Sequence, residues 1–387
     1  MAVRPAVPSH TRFPAARPEV EGLLAYSAPL EGRRGLLRLD FNENTLGPSP
    51  KVVEAIRAIP AEHYAIYPEY NGVREAVVAA LGGSKSHLAP SHVGVFNGVD
   101  GALHAVFHAY GSPGDRLLTT SPTFGYYAPC ARMQGMDIEA IPYHLPCFGF
   151  PLEEMRSSVD PLAGAGRPPR LLLICNPNNP TGTRLAPARI LELAAAAPET
   201  LVVVDELYEA FSGDSVLPLL AERAEASGEG DAFFHSPNLL VLRSLSKTAG
   251  LAGLRIGFAI GSPEVVDRVS RVSGPYDVNS FAVLAAMAAL ADQPYVEAYV
   301  EAVLEAKEWL SGQLALKGVR HHVDGGNYLL IWPEVPVAEV EMRLREAGIL
   351  VRSMAGKPLI DGSFRVSIGT RAQMEQFWEA FRQIEAG

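Results

Sequence analysis

The sequence predicts an α/β fold in which a mostly parallel sheet, flanked by helices, is joined to a smaller α+β unit. Three patterns carry that prediction. Short apolar runs alternate with helical stretches through most of the chain, as strands and crossovers do in parallel sheets. Four of those runs end directly in clustered polar residues, where open parallel sheets bind their ligands. From about Gly318 the pattern changes to a strand–helix–strand–helix series.

In chain order, the Pro-rich residues 1–35 read as an N-terminal arm, loosest over the first twenty or so. Strands are expected at 93–96, 116–118, 171–175, 201–204, 239–242 and 255–260, each short, apolar and bounded by turn residues. Helices are expected at 100–110, 187–196 and 280–291, the last continuing into 296–316. The smaller unit follows as strand 321–332, helix 337–347, strand 364–368 and helix 372–384. It is expected to comprise residues 36–60 and 292–387, with the larger domain at 61–291.

Composition narrows the function. The 387 residues carry a formal charge of −10, which disfavours nucleic acid or an anionic membrane as partner. Three scattered cysteines, Cys130, Cys147 and Cys175, supply neither a disulfide framework nor a zinc site. No run of 18 apolar residues and no secretory signal is present, so a cytoplasmic location is expected.

The residues that carry chemistry lie at the four polar strand ends. Ser244-Leu245-Ser246-Lys247 places one lysine among hydroxyls, with Arg255 eight residues on. A lysine flanked in this way suits an imine with a carbonyl, most often that of pyridoxal phosphate, and Ser244, Ser246 and Arg255 suit the phosphate. Residues 93–96 run into Asn97-Gly98-Val99-Asp100, a helix start with free N–H groups for an anion, in which Asp100 also suits an N-cap. Residues 171–175 run into Asn176-Pro177-Asn178-Asn179-Pro180-Thr181-Gly182, and 201–204 into Asp205-Glu206-Leu207-Tyr208. A carboxylate such as Asp205 would keep a pyridine nitrogen protonated, while Asn179 and Tyr208 would meet the ring oxygen. Phe124 offers an aromatic face for the ring, although taken singly it reads more readily as core than as a cofactor partner. His104 and His108 sit one helical turn apart with no acidic partner between them, so no metal site is expected. Ser244-x-x-Lys247 also fits penicillin-recognising enzymes, but their partner motifs are absent.

Asn179-Pro180-Thr181-Gly182, Asp205-x-x-Tyr208 and Ser244-x-Ser246-Lys247 with Arg255 resemble the fold type I, class I/II pyridoxal-phosphate-dependent aminotransferases. Residues 39–49, Tyr67-Pro68, 348–352 and 364–370 resemble the histidinol-phosphate aminotransferase branch, in continuous order from about 36 to 387. The resemblance implies a seven-stranded sheet and a homodimer with the active site at its interface. It implies Lys247 as the lysine that holds the cofactor, Asp205 at the pyridine nitrogen, Asn179 and Tyr208 at the ring oxygen, and Phe124 stacked on the ring. The phosphate would be held by Gly98, Val99, Asp100, Ser244, Ser246 and Arg255, with Tyr67 reaching over from the partner subunit. Arg365 matches the arginine for the substrate's α-carboxylate and Arg352 one for a substrate phosphate; Tyr26 and Asn42 fall among the substrate contacts. The implied reaction passes an amino group from histidinol phosphate to 2-oxoglutarate. Aromatic amino acids, or a decarboxylation, are alternative outcomes of the same constellation, and a non-catalytic sensor role lacks a DNA-binding segment. Two departures stand out: Thr45 replaces a usual proline, and Asp277 replaces the first asparagine of a Pro-Tyr-Asn-x-Asn segment. If Asp277 faces the pocket it would repel a phosphate and favour a cationic amino acid such as arginine.

Overall fold

In the computed structural model, which describes residues 14–25, 31–160 and 167–386, the polar strand ends meet along one edge of a single sheet. The strands are β1 (Leu37–Arg38), β2 (Val93–Phe96), β3 (Arg116–Ser121), β4 (Asp137–Pro142), β5 (Leu171–Cys175), β6 (Leu201–Asp205), β7 (Leu239–Ser244), β8 (Gly257–Gly261), β9 (Arg320–His322), β10 (Tyr328–Trp332), β11 (Ile349–Leu350), β12 (Arg352–Ser353) and β13 (Phe364–Ser367). Seven of them form the large sheet in the order β2-β8-β7-β6-β5-β3-β4. Its centre is Leu-Leu-Leu-Ile-Cys and Leu-Val-Val-Val-Asp, buried throughout because helices cover both faces. Alternation assigns Leu172, Ile174, Val202 and Val204 to one core and Leu171, Leu173, Leu201 and Val203 to the other.

Sequence and structure differ at four places. β4 was not anticipated: it is an edge strand with no fully buried residue and lacks the apolar run of its neighbours. β8 runs antiparallel to both β2 and β7 and begins at Gly257 rather than Arg255. Arg255 instead takes a left-handed backbone conformation (φ 56°) in the turn before it. The expected long helix is two, Ser280–Leu290 and Gln293–Leu316, because Asp292 leaves the helical conformation and Pro294 opens the second. The expected strand 321–332 is a β9–β10 hairpin broken at Asp324-Gly325-Gly326, where Gly326 has a positive φ.

A second, four-stranded antiparallel sheet (β12-β13-β10-β9) packs Phe364 against Phe377 and Phe381 of helix Arg371–Glu385, with Leu310 and Leu314 of the long helix in the same core. Thr370 and Gln373 form a capping box at the start of that last helix. Residues 36–60 divide between the two bodies. β1 pairs with β11, and Ser367 N–H donates to Leu39 O at 2.9 Å, whereas helix Pro50–Arg57 buries Val52 with Ala285 and Ala289 beside the large sheet. Two hydrogen bonds to backbone carbonyls join the bodies at the site: the Tyr328 side-chain OH donates to Asn178 O (2.6 Å) and Gly325 N–H to Gly182 O (3.0 Å). A Cβ on Gly182 would stand 2.8 Å from Gly325 O, so the join requires glycine there. Among the described residues, no helix is long and apolar enough to cross a membrane.

Candidate active site

Lys247 follows β7 in a Ser/Thr/Gly turn, and its side chain lies in a chamber of about 130 Å3 walled by the ends of β5, β6 and β7. Its amine donates to Phe41 O at 2.9 Å. Burial first, and the positive charge of Arg365 second, push its pKa down to about 8, against the partial opposition of Glu43 and Asp100. At neutral pH this leaves on the order of 100-fold more free amine than an ordinary lysine would offer.

Asp205, the last residue of β6, is 2% exposed and faces the same chamber. Burial raises its carboxyl to about 6, while a hydrogen bond from Tyr127 OH (2.6 Å) and one from Leu207 N–H (3.3 Å) favour the carboxylate. Tyr208 OH accepts from the amides of Asn42 (3.0 Å) and Asn179 (3.3 Å), so its own hydrogen is left to donate. Burial holds its phenol well above the ordinary range, hence protonated. Asn179 in turn accepts from Arg365 Nη1 at 2.5 Å, and Arg365 Nη2 donates to Asp40 O at 2.7 Å. Arg365 Nε is buried with no hydrogen-bond partner among the described residues.

An anion cradle closes one end. Helix Gly98–Tyr110 begins there, and its first N–H groups have no partner within the helix. A Cβ on Gly257 would stand 2.6 Å from Gly98 C and Val99 N, and one on Gly98 would stand 2.7 Å from Arg255 Nη2. Only glycine lets strand, helix terminus and guanidinium converge so closely. Ser244 Oγ donates to Ser246 Oγ at 2.8 Å, and both line the chamber. Asp100 is the third helical residue rather than the N-cap; it pairs with Arg255 at 2.7 Å in a half-exposed bridge that an incoming dianion can displace at little cost. Phe124 lines the chamber too, with its ring edge-on to Tyr127 (5.4 Å between centroids).

The donor set fits pyridoxal phosphate. One depressed amine suits its carbonyl, one buried carboxylate its pyridine nitrogen, Tyr208 and Asn179 its ring oxygen, and the Gly98–Arg255–Ser244 cradle its phosphate. The chamber opens into a wider cleft of about 690 Å3, to which Asn42, Glu43, Arg352, Met354, Lys357 and Arg365 contribute.

Tyr67 and Asp277 line neither cavity. Tyr67 is 71% exposed, stacked on Tyr276 with ring centroids 4.1 Å apart, and does not line the chamber or the cleft. Asp277 is exposed beside Gly101, outside both cavities. Tyr26 falls outside the described residues. Asn42 lines the cleft but is fully buried, held between Tyr208 OH and Ser367 Oγ, so it supports the phenol more than it faces a substrate. His104 bonds Tyr126 OH at 2.5 Å, and no cluster of three or more metal-ligating side chains occurs among the described residues.

Tyr127 and Lys357 were not foreseen. Tyr127 lies three residues after Phe124, one helical turn away, and Lys357 lies in the loop bracketed by Arg352 and Arg365; those spacings were the available signals. Tyr127→Phe is expected to lower kcat about tenfold with KM little changed, since the lost bond of about 1.5–3 kcal/mol to a charged group acts through Asp205. Removing that donor favours the neutral carboxyl, so the acid limb of the pH–kcat profile should move to higher pH. An unchanged limb in stopped-flow or steady-state profiles would refute the coupling.

The profile of the family described as aminotransferase class I and II matches residues 34–381. The chain is 32% identical over 360 residues to a histidinol-phosphate aminotransferase of Moorella thermoacetica, covering 92% of this chain and 87% of that protein. It is 33% identical to one of Geotalea uraniireducens, covering 90% and 92%. A crystal structure of histidinol-phosphate aminotransferase from Sinorhizobium meliloti, in complex with pyridoxal-5'-phosphate, superposes with a TM-score of 0.82 at 24% identity, covering 98% of this chain and 99% of that one.

Proposed function

The chain belongs to the class I and II aminotransferases and is a pyridoxal-phosphate-dependent transaminase of fold type I; on that premise we propose that its amino donor is histidinol phosphate and its acceptor 2-oxoglutarate. The observation that carries the donor is the cationic wall of the cleft, Arg365 with Arg352, facing Lys247 across the chamber mouth. Histidinol phosphate has a phosphate ester where an amino acid has its carboxylate, so one pair of guanidinium groups can receive either anion in turn.

When bound, pyridoxal phosphate supplies an electron sink that makes the substrate's Cα–H acidic. The protein's residues do the rest. Lys247 is placed to hold the cofactor and, once released, to take the proton from the substrate Cα; its depressed pKa suits both tasks at neutral pH. Asp205 holds a proton on the ring nitrogen, and Tyr127 holds Asp205. Tyr208 donates at the ring oxygen, steadied by Asn42 and Asn179. Arg365, itself fixed by Asn179 and Asp40, orients the substrate so that its Cα–H points at Lys247. The exposed Tyr67–Tyr276 stack, which lines neither cavity of its own protomer, supports a homodimer in which Tyr67 completes the partner's phosphate cradle.

Mixing holoenzyme with single donors and no acceptor tests the reading. Histidinol phosphate should convert the cofactor absorbance to that of its amine form at a rate at least about tenfold above phenylalanine or tyrosine, the gain of one charge-assisted contact. Carbon dioxide release, or faster conversion by the aromatic amino acids, would replace it.

A further inference from the structure

The cleft wall holds more positive charge than a carboxylate needs. Arg352, Lys357 and Arg365 line the same cleft, and Arg352 and Arg365 are register partners on β12 and β13; burial first, then Arg365 and Arg352, disfavour the charged form of Lys357. The nearest carboxylates are spoken for, since Asp40 and Glu43 both accept from Arg33, and Glu43 also from Arg38. Arg352 rests its guanidinium 5.5 Å over the Phe41 ring, whose other cation neighbour is Arg33 at 4.5 Å. Neither Arg352 nor Lys357 makes an ion pair among the described residues. Lys357 sits half-buried in the loop from β12 to β13, tethered by its backbone N–H to Met354 O at 3.0 Å, and its side chain lines the cleft. Unpaired, mutually repelling, partly buried cations are costly unless a ligand supplies the missing charge. A monoanion at Arg365 would leave two of them uncompensated. A dianion would leave one.

Resting on the donor reading above, we propose that Lys357 is a specificity-determining residue that joins Arg352 and Arg365 in a three-cation site for the phosphomonoester dianion of the amino donor. Arg365 and Arg352 give planar, paired N–H contacts, and Lys357 adds a point charge from the loop side. The site therefore selects for the second negative charge of the phosphate.

The test compares histidinol phosphate with histidinol, which differ only in the phosphate, using holoenzyme and single-turnover kinetics. In the wild-type enzyme the kcat/KM ratio of the two donors should be large. Lys357→Gln should cut that ratio about 10- to 100-fold, chiefly through KM, as expected for one bond to a charged group. Lys357→Arg should restore most of it. An unchanged ratio in Lys357→Gln, including an equal loss on both donors, overturns the assignment of Lys357 while leaving the donor reading intact. A wild-type ratio near one overturns the donor reading, and this site with it.

Discussion

Lys247→Ala is expected to abolish transamination, with a loss of at least about 10^4-fold in kcat. Proton transfer by a positioned side chain alone contributes 10^2–10^4-fold, and here the same amine also holds the cofactor. No neighbour can substitute. Lys357 is the other amine lining the cleft, but it stands on the wall with Arg352 and Arg365 and is absent from the inner chamber that Lys247 shares with Asp205. Borohydride treatment should fix pyridoxal phosphate to the wild-type chain and fail to fix it to the variant. Cofactor retained covalently by Lys247→Ala would show that a different lysine carries the chemistry.

Asp205→Ala ranks second, at roughly 10^3-fold in kcat. Removing one partner of a buried ion pair costs about 3–5 kcal/mol, and each 1.4 kcal/mol is tenfold in rate. Among the described residues the carboxylate is held by Tyr127 and Leu207, so its loss also takes away the partner of the buried Tyr127 hydroxyl. Donor KM should change far less than kcat, because Asp205 lies in the inner chamber and does not line the cleft where the donor is gripped. Asp205→Glu should recover part of the rate if charge is what matters. Equal loss in Ala and Glu variants, with cofactor affinity intact, would point to geometry instead.

How much of this could be read from the chain follows from where each residue sits. Asn179, Asp205 and Lys247 each follow a buried apolar strand, so their convergence at one sheet edge is legible once those strands are seen to be parallel neighbours. Tyr127 was not legible, because its bond to Asp205 spans 78 residues and depends on how the helix Tyr127–Met133 docks on the sheet. The turn that aims Arg255 was not legible either. The pattern there reads as a strand, whereas Arg255 takes a left-handed conformation in a turn and Gly257 packs closely against Gly98. Asp277 shows the reverse: an unusual letter in the sequence that the fold places on the surface of the protomer. The edge strand β4 lacks the apolar signature of its neighbours because one side of it has no sheet to hide behind.

The join between the two sheets has a consequence for how such an enzyme can change its diet. The cofactor chamber belongs to the large sheet, whereas Arg352 on β12 and Lys357 in the turn from β12 to β13 belong to the small one; the two are stitched through Gly182–Gly325 and Asn178–Tyr328. Letters in that turn can be rewritten, and the donor exchanged, without touching a residue that holds the cofactor. The stitch itself does not share this freedom. Any side chain at position 182 would pry the donor-reading surface away from the machinery it feeds, so heritable novelty should accumulate in the turn while the glycine stays put.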